Sequence, residues 1–265
     1  MLEQSNVSRR KFLTSTGLTL AAGVLAGCGV TKIAEPIPAI AEAGSAPVPW
    51  PYQAIDPEVA RKLAYENYFK GGCCYAAGKA LVDSINEKAG GPWNTIPTDM
   101  FKYGKGGALG WGTLCGALNG ALLVVNLVTG GDIDKVGNEL IGWYTQFPFP
   151  TTKMDDYAKF KNQITTIADS PLCHVSVSIW ANKANAKINS DEKADRCAKV
   201  SGDTAAKAIE LLNQWKAGSF TPAYKPGSEY TSCLTCHNGA TSSLDNEQGK
   251  MSCLQCHDDK SNGHP

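Results

Sequence analysis

The residues best equipped for chemistry sit in two short elements near the C-terminus, Cys233-Leu-Thr-Cys236-His237 and Cys253-Leu-Gln-Cys256-His257. Each has the C-x-x-C-H spacing that attaches a c-type haem. Two thiols a short turn apart add to the two vinyl groups of one porphyrin, and the following residue sets an imidazole under its iron. A single C-x-x-C also fits a redox dithiol or half of a zinc site. Two copies, each followed at once by His, on a chain with an export leader, select haem. The sequence therefore predicts two covalent haems c per chain, attached through Cys233, Cys236, Cys253 and Cys256, with His237 and His257 as proximal iron ligands.

The chain has only four histidines. If both irons carry two imidazoles, His174 and His264 must fill the distal positions. His264 is the second-last residue, on a tail long enough to fold back. His174 lies far upstream and could serve the haem of a partner subunit. Met154 and Met251 compete as axial ligands and would raise the potential relative to two histidines, although Met251 stands too close to Cys253 to reach over a haem face. Fifteen residues separate His237 from Cys253, which favours haems close together without fixing how they stack.

Bis-His haems offer no open position to a substrate, so the leading expectation is single-electron transfer, not enzymatic turnover. The alternative is a reductase of a small oxidised nitrogen or sulfur species at an open metal site. A third reading is a disulfide-stabilised cytochrome without a further centre. No Ser-His-Asp set, phosphate loop or paired-carboxylate signature supports hydrolytic or nucleotide chemistry. Lys plus Arg and Asp plus Glu both count 25, so the basic excess of a nucleic-acid binder is missing.

The leader sets the compartment. Ser8-Arg9-Arg10-Lys11-Phe12-Leu13 reads as a twin-arginine export signal before an apolar run from Leu18 to Leu25; the competing reading is an ordinary secretory signal. Leu25-Ala26-Gly27-Cys28 resembles a bacterial lipobox, which would lipidate Cys28 and tie the protein to a membrane surface. Plain cleavage near Ala41 or Ala43 is the alternative. A periplasmic location follows either way. Residues 1–31 are thus assigned to the signal. Residues 32–55, with five prolines among small residues, read as a tether with little to pack.

Residues 56–217 read as a helical, cysteine-containing domain. Asp56-Pro57-Glu58 is a helix start, and Gly71-Gly72 a stop. A second helix is expected from about Cys73 to Ala89. The apolar stretch from Thr113 to Thr129 reads as a buried helix, too short and too interrupted by Asn119 and Asn126 to span a membrane. Further helices are expected at about 132–146, 152–168, 171–185 and 190–217. Beyond Gly218 the composition turns to Gly, Ser, Thr, Asn and Pro. Residues 218–265 then form a dihaem-binding segment with too few core residues to fold alone. The fold class is mainly α, a helical domain followed by an irregular C-terminal segment wrapped around two c-type haems.

Five cysteines lie in the middle domain: Cys73, Cys74, Cys115, Cys173 and Cys197. They fit buried free thiols, disulfides suited to an exported protein, or an iron–sulfur site in which four thiolates from separate helices converge on one point. Twin-arginine export, which carries folded cargo, favours the third.

Gly71-Gly72-Cys73-Cys74-Tyr75, then Gly112-Thr113-Leu114-Cys115-Gly116-Ala117-Leu118-Asn119-Gly120-Ala121, then Cys173 and Cys197, resemble the C-GCAxxG-C-C family of redox proteins. With two haem motifs appended, nearly everything after the tether resembles the split-Soret cytochromes c of sulfate-reducing and related anaerobic bacteria. The resemblance implies a homodimer, two stacked haems per subunit at one end of a largely helical protein, periplasmic redox partners, and an iron–sulfur centre ([2Fe–2S] or similar). Residue by residue, it implies Cys73, Cys115, Cys173 and Cys197 as cluster ligands. Cys74 is the odd one out, either a substitute for Cys73 or a buried free thiol.

Overall fold

The first helix begins where Asp56 and Pro57 dictate. The Asp56 carboxylate accepts the Glu58 N–H at 3.0 Å, Pro57 occupies the first helical position, and α1 runs over Pro57–Ala89. The computed structural model describes residues 46–255. Gly72 leaves helical geometry at φ 80° and ψ −178°, a conformation that strains any residue with a Cβ. The expected stop at Gly71-Gly72 is therefore a sharp kink, and Cys73 opens the second half of α1. The remaining helices are α2 (Gly116–Thr129), α3 (Ile133–Gln146), α4 (Cys173–Ala184), α5 (Asp191–Lys216) and α6 (Ser228–His237). Ser190 caps α5 by accepting the Lys193 N–H at 3.2 Å, with Asp191 and Glu192 in its first turn. Short 3-10 turns lie at Trp93–Thr95, Thr98–Gly104, Gly130–Asp132 and Cys253–Gln255. Among the described residues β pairing is confined to two isolated bridges.

The long helix α1 packs along α5 and α2, and α3 closes against α2 and α5. The core combines small residues such as Ala60, Ala64, Ala77 and Ala80 with Leu81, Ile85, Leu118, Leu140, Ile209 and Leu212, all fully buried. The small residues set the spacing. A Cβ at Gly120 would run into the Cys74 carbonyl, and one at Gly116 into the Cys73 thiol. This approach brings the start of α2 against the kink of α1. The stretch 116–146 is long and apolar enough by composition to cross a membrane. It is broken at Gly130–Asp132, and Ala117, Leu118, Ala121, Val124, Val125 and Val128 spend its apolar face on the core. It is the buried helix that the sequence predicts.

Two expectations are corrected. No helix forms over 152–168, which is turn and irregular structure. Buried polar groups of neighbouring helices capture that stretch instead. Lys199 pairs with Asp155 at 2.6 Å, and Asp195 and the Tyr65 hydroxyl both accept the Lys159 N–H at 3.1 Å. Asp203, which also pairs with Arg61, accepts the Thr151 N–H at 3.0 Å. Tertiary hydrogen bonds override the local pattern there. The second correction concerns the proline-rich stretch. Its residues 46–55 lie on the body and do pack: Tyr52 and Ile55 are buried, the Trp50 N–H donates to the Leu127 carbonyl at 2.7 Å, and the Tyr52 hydroxyl to Asn213 at 2.7 Å.

The chain leaves α5 and crosses α3, where the Glu139 carboxylate accepts the N–H groups of Ala223 and Tyr224, both at 2.8 Å. Beyond Leu212, Tyr230 is the one buried apolar side chain among the described residues.

Candidate metal centre and haem segment

Three of the four cysteines singled out in the helical domain stand at helix starts. Cys73 follows the Gly72 kink, Cys115 is the N-cap of α2, and Cys173 is the first residue of α4. A helix N-terminus presents unpaired N–H groups and the positive end of the helix dipole, both favourable to a thiolate. Cys197 lies on α5. The segments before α2 and α4 are clipped together in antiparallel register, Leu114 opposite Leu172. The Cys115 N–H donates to the Pro171 carbonyl at 2.8 Å, the Cys173 N–H to Thr113 at 2.7 Å, and the His174 N–H to Gly112 at 3.1 Å. This clip sets Cys115 opposite Pro171 and Cys173 opposite Thr113, one cysteine on either side of the Leu114–Leu172 bridge.

All four thiols line one cavity of about 690 Å³ between α1, α4 and α5, with the glycine-rich loop after Gly104 as its lip. They are arranged around it and do not converge on a point. Among the described residues no three His, Cys, Asp or Glu groups stand close enough to hold a single metal ion. Cys74 is absent from the cavity wall. It is fully buried and packs against Gly104. Burial lifts the Cys74 thiol to about 12. Burial first, and the neighbouring cysteines second, push Cys73 far above the ordinary thiol range and Cys173 up to about 12. Burial also raises Cys115, against the opposing hydrogen bonds from the Tyr144 hydroxyl and from the Ala117 and Leu118 N–H groups at the start of α2. Left to themselves these groups are neutral thiols; a bound metal would take their protons.

Two tyrosines stand beside the thiols, the fully buried Tyr144 beside Cys115 and the half-buried Tyr68 beside Cys197. Tyr144 also lies 3.3 Å from Ser176 Oγ. Arg196, 2 % exposed, lines the same cavity. Sequence reasoning missed these roles, because no motif marks them; the adjacency of Arg196 to Cys197 is the one available signal. His174 is exposed beside Cys173. Met154 is fully buried against Tyr65 and Ala198 in the helical body, which removes it as an axial ligand.

In the C-terminal segment, α6 carries Cys233, Cys236 and His237. His237 Nδ1 lies 2.9 Å from Asn246 Oδ1, and the His237 carbonyl accepts the N–H groups of Asn246 and Glu247 at 3.0 Å each. Burial first, and the neighbouring Cys233 second, raise the Cys253 thiol. Leu244, Met251 and Leu254 are exposed, so the segment holds apolar surface that its own chain leaves bare. Cys28, Cys256, His257, His264 and the twin-arginine stretch lie outside the described residues.

Known proteins match both halves of this arrangement. Residues 75–211 match the family model described as "Putative redox-active protein (C_GCAxxG_C_C)". Across 264 residues the chain is 30% identical to split-Soret cytochrome c of Desulfovibrio desulfuricans, covering 95% of either protein. It belongs to the split-Soret cytochrome c family. A solved structure of the split-Soret cytochrome c from that organism, described as having a novel iron centre, superposes with a TM-score of 0.74 at 32% identity, over 80% of this chain and 91% of that one. The mainly helical fold is thus the split-Soret fold. The family-model match takes in Cys115, Cys173 and Cys197 and begins two residues after Cys73.

Proposed function

We propose that this chain is an exported, periplasmic dihaem cytochrome that passes single electrons between two bis-His haems and an iron–sulfur centre in the helical body. The observation that carries this reading is the pairing, in one split-Soret chain, of two C-x-x-C-H elements with a four-thiol cavity. The donor set fits an iron–sulfur group. Four soft thiolates suit it, and thiols spread around a cavity suit a cluster of more than one iron better than a single ion. Cys73, Cys115, Cys173 and Cys197 would hold it, and Cys74 would remain a packing thiol. When bound, the haems and the cluster supply one-electron couples. The chain's own residues do the rest: they desolvate, orient and supply charge. The Ala117 and Leu118 N–H groups at the start of α2 face the Cys115 thiol, and Tyr144 and Tyr68 stand beside Cys115 and Cys197.

In the haem segment, Cys233, Cys236, Cys253 and Cys256 would anchor the porphyrins, with His237 and His257 proximal and His174 and His264 distal. With Nδ1 protonated, His237 donates to Asn246 Oδ1, which leaves Nε2 for iron and fixes the plane of the ring. His174, exposed beside a cavity cysteine, suits donation to a haem of a second copy in a homodimer. Twin-arginine export and lipidation at Cys28 complete the proposal and would place the protein at a membrane surface, open to periplasmic redox proteins.

The test is iron and acid-labile sulfide measured against haem on protein purified without oxygen. Two haems per chain with additional iron and sulfide are expected. Iron equal to haem, with no sulfide, would return the cavity cysteines to thiols or disulfides.

A further inference from the structure

The helical body buries three basic side chains to 4 % exposure or less, Arg61, Arg196 and Lys199. Two have acid partners: Arg61 pairs with Asp203, and Lys199 with Asp155 at 2.6 Å and Asp195 at 3.7 Å. Arg196 has none. Its Nη2 donates to Ser176 Oγ at 2.9 Å, its guanidinium lies 5.9 Å from the Trp180 ring centroid, and its Nε is buried without a hydrogen-bond partner. Leaving a cation buried and unpaired is costly. The cavity that Arg196 lines also holds Lys105 and Lys193 and no Asp or Glu. The three basic groups of the cavity wall thus face no carboxylate across it.

We propose that Arg196 is the built-in counter-charge of an iron–sulfur group on the four thiols, and that it biases that group toward its reduced state. This rests on the cluster reading above. An iron–sulfur core on four thiolates is anionic, and one-electron reduction adds one further negative charge with no proton required. A fixed guanidinium in a low-dielectric wall therefore favours the reduced form over the oxidised one. Lys105 is exposed and Lys193 half-buried, so solvent screens both more than Arg196. Ser176 and Trp180 hold the guanidinium in place, and Tyr144, on the Ser176 hydroxyl, links it to Cys115. Arg196 thus acts through charge and position, as a positioning residue held by Ser176 and Trp180.

The test compares Arg196→Met, which keeps apolar volume without charge, with Arg196→Lys, which keeps the charge, in anaerobically purified full-length protein. Redox titration followed by electron paramagnetic resonance should show the reduced-to-oxidised ratio of the cluster in Arg196→Met at least tenfold lower at a fixed potential. For a one-electron couple that is about 59 mV. Arg196→Lys should recover most of the shift, with the haem potentials in the same molecule as internal reference. Metal-free protein gives the second measurement. There Arg196→Met should melt higher than the parent, since it removes an unpaired buried charge, and the sign should reverse in the iron-loaded protein. An unchanged ratio, or a Lys variant that falls as far as Met, would overturn the proposal, as would a Met variant that does not fold. If the parent holds no iron–sulfur group while metal-free Arg196→Met still melts higher, the cluster reading fails and the tuning role fails with it; the unpaired cation alone stands.

Discussion

In the helical body each cavity cysteine is placed by elements that stand on a core of their own. Cys73 is fixed by a kink and by the close approach of α2, Cys115 and Cys173 by a backbone clip, and Cys197 by a long, mostly buried helix. In the segment 228–255 the haem cysteines ride on one ten-residue helix and one 3-10 turn, with Tyr230 as the only buried apolar side chain. A helix of that length is marginal alone, and the exposed Leu244, Met251 and Leu254 await cover. One region makes a site from its fold; the other needs its cofactor to complete a fold. On the proposed reading, haem faces would supply the apolar area that the segment's own side chains do not.

Withholding haem should produce the largest contrast. Protein made without haem attachment should keep its helical body, while the segment after Gly218 is cut by protease roughly tenfold faster or more than in the haem-loaded form, because local opening there costs little. Limited proteolysis read by mass spectrometry checks this, and equal protection of the segment in both forms would break the comparison. A smaller contrast comes from a matched pair of glycines. Gly120→Ala drives a methyl into the Cys74 carbonyl and should cost about 1–3 kcal/mol in chemical denaturation. Gly249→Ala meets nothing within 4 Å and should stay within about 0.5 kcal/mol of the parent. Equal costs would mean that the segment is packed as tightly as the body. The subtlest test is Asn246→Leu. It should leave melting of the body unchanged within about 0.5 kcal/mol yet raise the potential of one haem, because an imidazole that loses its Nδ1–H acceptor is a less basic ligand. Asn246→Asp should lower it. A spectroelectrochemical titration in which neither variant moves a haem would remove Asn246 from the positioning of His237.

Most helices were legible in the sequence, because their ends carry local chemistry. Asp56-Pro57 and Ser190-Asp191-Glu192 act through hydrogen bonds to the residues that follow them, so spacing alone reveals them. The stretch 152–168 was misread for the opposite reason. Asp155 and the Lys159 N–H are claimed by Lys199, Asp195 and Tyr65, residues more than thirty positions away, and no local pattern records that. The same holds for residues 46–55, where proline content suggested a free strand and Asn213 holds it down instead. At the candidate site the cysteines were visible by type, and one cavity gathers the four that the resemblance singles out. Tyr68, Tyr144 and Arg196 were invisible as site residues, since each looks like an ordinary member of an amphipathic helix until the fold turns it toward the thiols.

The clip between residues 112–115 and 171–174 explains one more contrast between the two sets of cysteines. In the proposed haem elements the distance between thiols is measured along the chain, because a porphyrin's vinyl groups would fix it through the C-x-x-C spacing. Cys115 and Cys173 are held at a distance measured across the chain, by three backbone hydrogen bonds. The chain that joins them runs through α2, α3 and the packed stretch 147–170, and its length does not set their separation. Sequence spacing is a ruler for the first pair and carries no length information for the second.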